Sequence, residues 1–291
     1  MSADASPPAF PLADQVRPEA RLPAFPAVEH VRTDRDQAHA IHLDHACFKG
    51  QGSHAEGDYH AIEEMEELAQ ATRFIRWIVD SLRLPSVGAV VEIGAGIGAV
   101  TEILREAVPH AAITALEPSA TPFALLAGGS RADGAVIRQE TSAAHLLTNA
   151  GTYDAVVHVN VLEHISDDAG ELAAVRALLR PGGTLHLFVP ALPRLYGPLD
   201  LKSGHYRRYR RRQLHDLLAS AGYRDIRIRH FDLLGTLPYW LLSRAHKATI
   251  RSTDVTLFDR VWVPLARGVD RLFANRPPFG KNLVAVAQSG P

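Results

Sequence analysis

Residues 90–101 read Val-Val-Glu-Ile-Gly-Ala-Gly-Ile-Gly-Ala-Val-Thr, and this stretch decides the fold. The run Ala89 to Ile93 is short and, Glu92 apart, apolar, which suits a buried parallel strand. Gly94, Gly96 and Gly98 then allow a sharp turn and leave the main chain bare where a ligand must approach. Behind them Val100, Ile103, Leu104, Ala107 and Val108 recur at helical spacing. Strand, glycine loop and helix in this order open a nucleotide-binding α/β domain.

Spacing chooses between two ligand classes. The dinucleotide pattern G-x-G-x-x-G/A is met by Gly94, Gly96 and Ala99, with Glu117 further on. The stretch also fits E-x-G-x-G-x-G, with Glu92 two places before Gly94 and Gly98 at the end. A pyrophosphate gains nothing from a carboxylate at the loop mouth, whereas a ligand bearing an ammonium and a sulfonium does. Outward from the loop, Ala112 to Leu116 reads as strand two and ends in Glu117-Pro118-Ser119, a carboxylate placed to accept from ribose hydroxyls. Gly134 to Thr141, containing Gln139-Glu140, reads as strand three. Strand four, Tyr153 to Val159, runs into Asn160-Val161-Leu162-Glu163-His164-Ile165-Ser166-Asp167. Leu172, Val175, Leu178 and Leu179 mark a helix that stops at Arg180-Pro181-Gly182-Gly183, and Thr184 to Pro190 is strand five.

In order and spacing these segments resemble the class I S-adenosylmethionine-dependent methyltransferases. The Leu162-Glu163-His164-Ile165 and Asp167 motif is most similar to the ubiquinone and menaquinone biosynthetic branch. The resemblance covers residues 86–232. It implies a Rossmann-like seven-stranded sheet, mostly parallel with an antiparallel last strand, and S-adenosyl-L-methionine as cofactor. It carries cofactor contacts onto Glu92, Gly94, Gly96, Gly98, Glu117, Glu140 and Asn160, with Glu117 on the ribose and Glu140 in the adenine-contacting segment. The family more often carries Gly-Asp where this chain has Gln139-Glu140. In ubiquinone-type O-methyltransferases an acidic pair around the strand-four motif is associated with a divalent ion. Asn160 stands where the first acid would fall, leaving Glu163, so no metal is expected.

Composition sets limits. The 291 residues are 46% hydrophobic and 22% charged, an ordinary globular balance able to bury one large core with appendages. A net charge of −1 argues against broad nucleic-acid binding. The single cysteine, Cys47, excludes an internal disulfide framework and fits a reducing compartment. No apolar run reaches membrane-spanning length and no secretory signal opens the chain, so a cytoplasmic protein is expected.

The organisation follows from shifts in composition. Residues 1–28 hold six of the 19 prolines and read as a tail. Residues 29–85 read as an N-terminal helical cap over the cleft, with a long helix from Ala61 to Leu82 whose Ile75, Ile78, Val79 and Leu82 share a face. His39, His42, His45, His54 and His60 precede it. On a helix three-residue steps place His39 and His45 about 120° apart, so the cluster is not read as a metal site. After the core (86–232), residues 233–278 form a helical insertion and 279–291 the final strand. The insertion places Leu257, Phe258, Val261, Trp262, Leu265, Val269, Leu272 and Phe273 on one amphipathic stripe. That stripe suits packing against the core or, as a homodimer, a second subunit; a substrate cover or a membrane surface is the alternative.

The chemistry is expected in Ala191 to Arg212, after strand five at the carboxyl edge of the sheet, where open α/β sheets bind ligands. Its prolines and glycines prevent a continuous helix, so it can form a lid. His205 is the first candidate for a general base and His164 the second, imidazole being basic near neutrality. The other reading of His205 is a brace for the following helix. Tyr206, Arg207, Arg208 and Tyr209 are candidates for binding the acceptor. The arginine run 207–212 opposes a helix N-terminus, so some of it should pair with carboxylates or an anionic substrate group. The expected activity is methyl transfer to a hydroxyl or amine of a small metabolite. An RNA or protein methyltransferase, or a methyltransferase-like protein with a non-methylating reaction, remains open.

Overall fold

The computed structural model describes residues 62, 65–244 and 252–290. The tail 1–28 and His39, His42, His45, His54 and His60 lie outside the described residues. Within them the strands are β1 (Val87–Ile93), β2 (His110–Leu116), β3 (Val136–Arg138), β4 (Tyr153–Val159), β5 (Leu179–Pro190), β6 (Tyr223–Phe231) and β7 (Asn282–Ser289). They form one sheet in the order β3-β2-β1-β4-β5-β7-β6. The pairs from β3 to β5 are parallel, and β7 runs antiparallel to both its neighbours, β5 and β6. This is the Rossmann-like arrangement expected from the glycine loop.

The helices are α1 (Thr72–Leu82), α2 (Ala99–Ala107), α3 (Ala120–Gly128), α4 (Ser142–Asn149), α5 (Asp168–Leu178), α6 (Pro198–Lys202), α7 (Arg211–Ser220), α8 (Thr236–Arg244), α9 (Ser252–Leu257) and α10 (Val263–Leu272). Both faces of the sheet are covered, which is why the central strands read as near-continuous apolar runs. Successive strand residues alternate between two cores. Val91 and Val156 face one cluster, with Leu172, Val175 and Leu178 of α5 and Leu214 of α7. Val90, Ala155 and Val157 face the other, with Phe74, Trp77, Ile103 and Val263.

Two expectations need correction. The helix from Ala61 to Leu82 is not continuous: the chain breaks at Ala71 (φ −81°, ψ 57°), and α1 begins at Thr72. Ala71 supplies no side-chain cap, so the start of α1 is capped from far along the chain. Asp259 accepts from Phe74 N at 2.9 Å and from Arg73 N at 3.2 Å, satisfying amides that a helix cannot satisfy itself. At the other end His186 Nδ1 lies 2.8 Å from Leu82 O, and Arg229 donates to Ser81 O at 2.8 Å. Phe74, Ile75, Trp77, Ile78, Val79 and Leu82 are all buried, so α1 is a layer of the core. It is the preceding segment that approaches the cleft, with Met65 over the glycine loop.

The insertion stripe is likewise divided. Phe258, Trp262 and Val263 pack against the α1 core, joined by Val255 and Ala266. Leu257, Val261, Leu265 and Leu272 point outward. A five-residue π-helical turn, Phe258–Trp262, sits between α9 and α10 and shifts the register of the two faces.

Candidate functional site

Strand order reverses between β1 and β4, and the crevice at their carboxyl ends is where such sheets hold ligands. Gly94, Gly96 and Gly98 all have positive φ (68°, 56° and 88°), but their reasons differ. A Cβ on Gly94 would stand 2.5 Å from Val161 Cγ2, and one on Gly98 would stand 2.8 Å from Leu126 Cδ1. Those two glycines serve packing beneath the loop. A Cβ on Gly96 would meet only Met65 Sδ, at 3.5 Å, so Gly96 is the position where the backbone lies open to a ligand.

Glu117, at the end of β2, accepts from Gly96 N and Ser119 N, each at 2.8 Å, one on each carboxylate oxygen. The loop and strand two are thereby fixed to each other, and each oxygen keeps a lone pair for a hydroxyl. Burial raises the Glu117 carboxyl above the usual range, against the pull of those amides. Glu92 lies deeper than the loop mouth, 2% exposed, where its Oε2 accepts from Thr101 Oγ1 at 2.6 Å. Burial pushes it up to about 7, opposed by Thr101 and reinforced by Glu117. A cationic group above the loop would favour its charged form. Asn160 follows β4 in a left-handed conformation (φ 52°), with its backbone N–H donating to Phe188 O at 2.9 Å. Glu140 is tied to α4, its Oε2 2.8 Å from His145 Nδ1. His145 Nε2 in turn lies 2.7 Å from Tyr153 Oη.

The segment expected to form a lid, residues 191–212, contains a 3-10 turn (Pro193–Leu195) and α6, and folds back so that Tyr209 bridges to Ala191. At its centre is Asp200, fully buried. Its Oδ1 accepts from Arg208 Nε at 2.7 Å and lies 2.9 Å from His205 Nδ1. Its Oδ2 accepts from Gly197 N at 3.0 Å and Tyr239 Oη at 3.3 Å. Burial alone would raise this carboxyl, but the His205 bond and the Arg208 charge hold it below the usual range. An ionised Asp200 makes Nδ1 of His205 the donor, which leaves Nε2 as the atom able to take a proton.

His205 and His164 meet edge to face with ring centroids 4.6 Å apart. Burial, then the neighbouring His205, holds His164 down to about 3, so it is neutral near pH 7. Glu163 is fully buried, and neither of its carboxylate oxygens has a hydrogen-bond partner. Burial pushes it up to about 7 against the opposing charge of His205. One ligand-type atom from each of Glu163, His164 and His205 lies within 4.8 Å of the others, a spacing that could also hold a divalent cation.

The four residues expected to contact the acceptor separate. Tyr206 is half-exposed. Arg207 pairs with Asp168 at 2.6 Å and donates to Ser166 O at 2.7 Å. Arg208 is 5% exposed and Tyr209 fully buried, donating to Asp168 Oδ2 at 2.9 Å. Arg208 donates to Asp200 Oδ1 and Ala191 O, so it and Tyr209 are tied into the packing of this segment. Asp200, Tyr239 and Met65 escaped the sequence reading. Nothing local marked Asp200, because Leu201 beside it is 64% exposed and the burial of the carboxylate comes from Arg208, His205 and Tyr239.

A family model described as a methyltransferase domain matches residues 63–228. The chain belongs to that family. Its domain is of the S-adenosylmethionine-dependent methyltransferase class, and the fold and glycine loop agree. Among solved structures, the methyltransferase is similar to a SAM-dependent enzyme of Thermotoga maritima described as a possible histamine N-methyltransferase. They share 17% identity with a TM-score of 0.52, over 78% of this chain and 95% of that one. Phosphoethanolamine N-methyltransferase 2 of Haemonchus contortus, solved with S-adenosyl-L-methionine, is 13% identical with a TM-score of 0.52 over 74% and 51%. Among curated proteins, the ubiquinone biosynthesis O-methyltransferase of Azotobacter vinelandii is 31% identical over 111 residues, 38% of this chain and 47% of that one. An uncharacterized Synechococcus protein is 34% identical over 114 residues, 38% and 27%. The methyltransferase thus spans less than half the length of these curated relatives.

Proposed function

We propose that this methyltransferase acts on a hydroxyl or amine of a small metabolite, with His205 as the base that removes the acceptor's proton. The observation that carries the reading is the Asp200–His205 pair, a buried carboxylate 2.9 Å from Nδ1 that orients the imidazole and fixes its tautomer. Gly96, Glu92 and Glu117 would hold S-adenosylmethionine, with Gly94, Gly98 and Asn160 shaping the crevice around it and Glu140 at its edge. That cofactor supplies an activated methyl group on a sulfonium. The chain's own work is to align the acceptor, exclude water and accept a proton at His205 Nε2. Glu163, buried and without a hydrogen-bond partner, suits a donor on the acceptor: a hydroxyl or ammonium placed there would meet a carboxylate that nothing else satisfies. Tyr206, exposed beside His205, would line the approach. The similarity to a ubiquinone biosynthesis O-methyltransferase supports a small acceptor.

A second reading adds His164 to two of these groups: Glu163, His164 and His205 hold a divalent cation that positions the acceptor oxygen. Incubation with methyl-labelled cofactor and panels of small hydroxyl and amine compounds, followed by product mass, tests the main reading. Label entering only RNA or protein from an extract, or no label transferred to any acceptor, would overturn it. Turnover abolished by chelation and restored by a divalent ion would favour the second reading.

A further inference from the structure

The insertion between β6 and β7 sorts its charges in a way the core does not require. Residues 233–279 carry seven arginines and lysines against three aspartates, in a chain whose net charge is −1. Two of those aspartates are turned inward. Asp259 caps α1, and Asp270, 1% exposed, accepts from Asp232 N at 2.9 Å and Leu233 N at 3.1 Å. Outward on α9, the π turn and α10 stand Leu257, Val261, Pro264, Leu265 and Leu272, with Arg260 and Arg271 among them. Leu257 is 64% exposed, Leu265 54% and Leu272 83%. Because the π turn interrupts the helical count, it is their common exposure that sets Leu257, Val261, Leu265 and Leu272 on the outer side of this segment. Leu237 and Leu241 are also exposed on α8, a helix without a carboxylate, and Phe273 and Phe279 are exposed beyond α10.

We propose that this face docks on the surface of an anionic lipid bilayer. Its leucines and Val261 enter the boundary between headgroups and acyl chains, and Arg260 and Arg271 meet lipid phosphates. An outward apolar stripe flanked by cations, on a helix whose buried carboxylates face inward, is the composition that lies in a membrane interface. A second copy of the chain is a poorer occupant. A two-fold contact would bring this cationic face against itself, like charge on like. No helix among the described residues is long and apolar enough to cross a membrane, so the contact is with the surface. The insertion is also joined to segment 191–212 through α8: Tyr239 donates to Asp200 at 3.3 Å, and the Arg208 guanidinium stacks 4.4 Å from the Tyr239 ring centroid. Docking would hold the lid near the bilayer. The inference does not depend on which residue is the base or on the acceptor.

Sedimentation of the full-length protein with phosphatidylcholine vesicles, with and without about 30% phosphatidylglycerol, tests this directly. Wild type should partition onto the anionic vesicles, at least roughly tenfold less well when salt rises from about 0.1 M to about 0.5 M. Replacing Leu257, Leu265 and Leu272 together by serine should lower partition roughly thirtyfold. Arg260→Gln and Arg271→Gln should each lower it about fivefold. These variants should keep the melting temperature and cofactor affinity, because the side chains touch neither core nor cleft. No partition of wild type, or partition indifferent to the serine variant, overturns the proposal. So does a wild-type dimer that the serine variant dissolves, which gives the face to a second copy. A serine variant with a markedly lowered melting temperature also overturns it, giving the face to the chain's own packing.

Discussion

At the scale of single residues, Gly96 and Glu92 separate binding from packing. Gly96 is the loop glycine whose missing side chain opens on the cleft, whereas Gly94 and Gly98 sit over Val161 and Leu126. Gly96→Val should therefore abolish cofactor binding at a backbone cost of about 1–2 kcal/mol from the positive φ. Calorimetry and thermal melting on the same sample check both halves. Glu92 is argued from its raised pKa, about 7 against an ordinary 4.5. The folded state then holds this proton more tightly than the unfolded chain, so the group costs stability increasingly as pH rises between those values. Glu92→Gln should gain stability relative to wild type between about pH 5 and about pH 8, by something on the order of 2–3 kcal/mol. The same variant should bind cofactor about tenfold less tightly or worse if the carboxylate meets the ligand's cation. Urea titrations across that pH range and calorimetry decide; a flat stability difference would remove the argument from burial. His205→Ala should lower turnover by roughly 10²–10⁴ while sparing cofactor affinity. If His205 only braces the lid, turnover per folded molecule should remain close to wild type.

At the scale of elements, α1 is held by residues remote from it. Its first-turn amides go to Asp259 of the insertion, and its last carbonyls go to His186 and Arg229. Asp259→Ala should cost about 1–2 kcal/mol, the usual worth of a cap, and leave turnover of the folded enzyme unchanged. Chemical denaturation and initial rates measured side by side test it. The lid follows the same logic. Its order comes from a buried carboxylate, Asp200, that gathers His205, Arg208, Tyr239 and the Gly197 amide, so the segment is an ordered element despite its prolines and glycines.

At the scale of the whole molecule, these remote contacts make the insertion part of the core. Trp77 of α1 and Trp262 of the π turn lie in or against one apolar cluster. Unfolding followed by tryptophan fluorescence and by far-ultraviolet circular dichroism should therefore give coincident transitions. Saturating cofactor should shift both together, by about 2.7 kcal/mol at a hundredfold excess over its dissociation constant. Separate transitions would show that the insertion folds on its own account.

The α/β class, the order of the first five strands and the glycine loop were legible in the chain itself. Each depends on a local pattern: an apolar run, glycines where the backbone must turn, and helical spacing behind them. The candidate cofactor residues could be named from sequence because Glu92, the glycines and Glu117 lie within one strand-loop-helix-strand unit. The remainder was decided by tertiary structure. Whether Leu257 or Phe258 faces the core depends on a π turn that shifts the register by local backbone geometry, which periodicity alone does not reveal. The true start of α1 depends on a carboxylate some 186 residues away. Arg208 and Tyr209 read as acceptor-binding candidates because their internal partners, Asp200 and Asp168, approach only when the segment folds back. A side chain's polarity is written in the sequence, but its partner, and hence its burial and its proton, is set by which distant elements the fold brings against it.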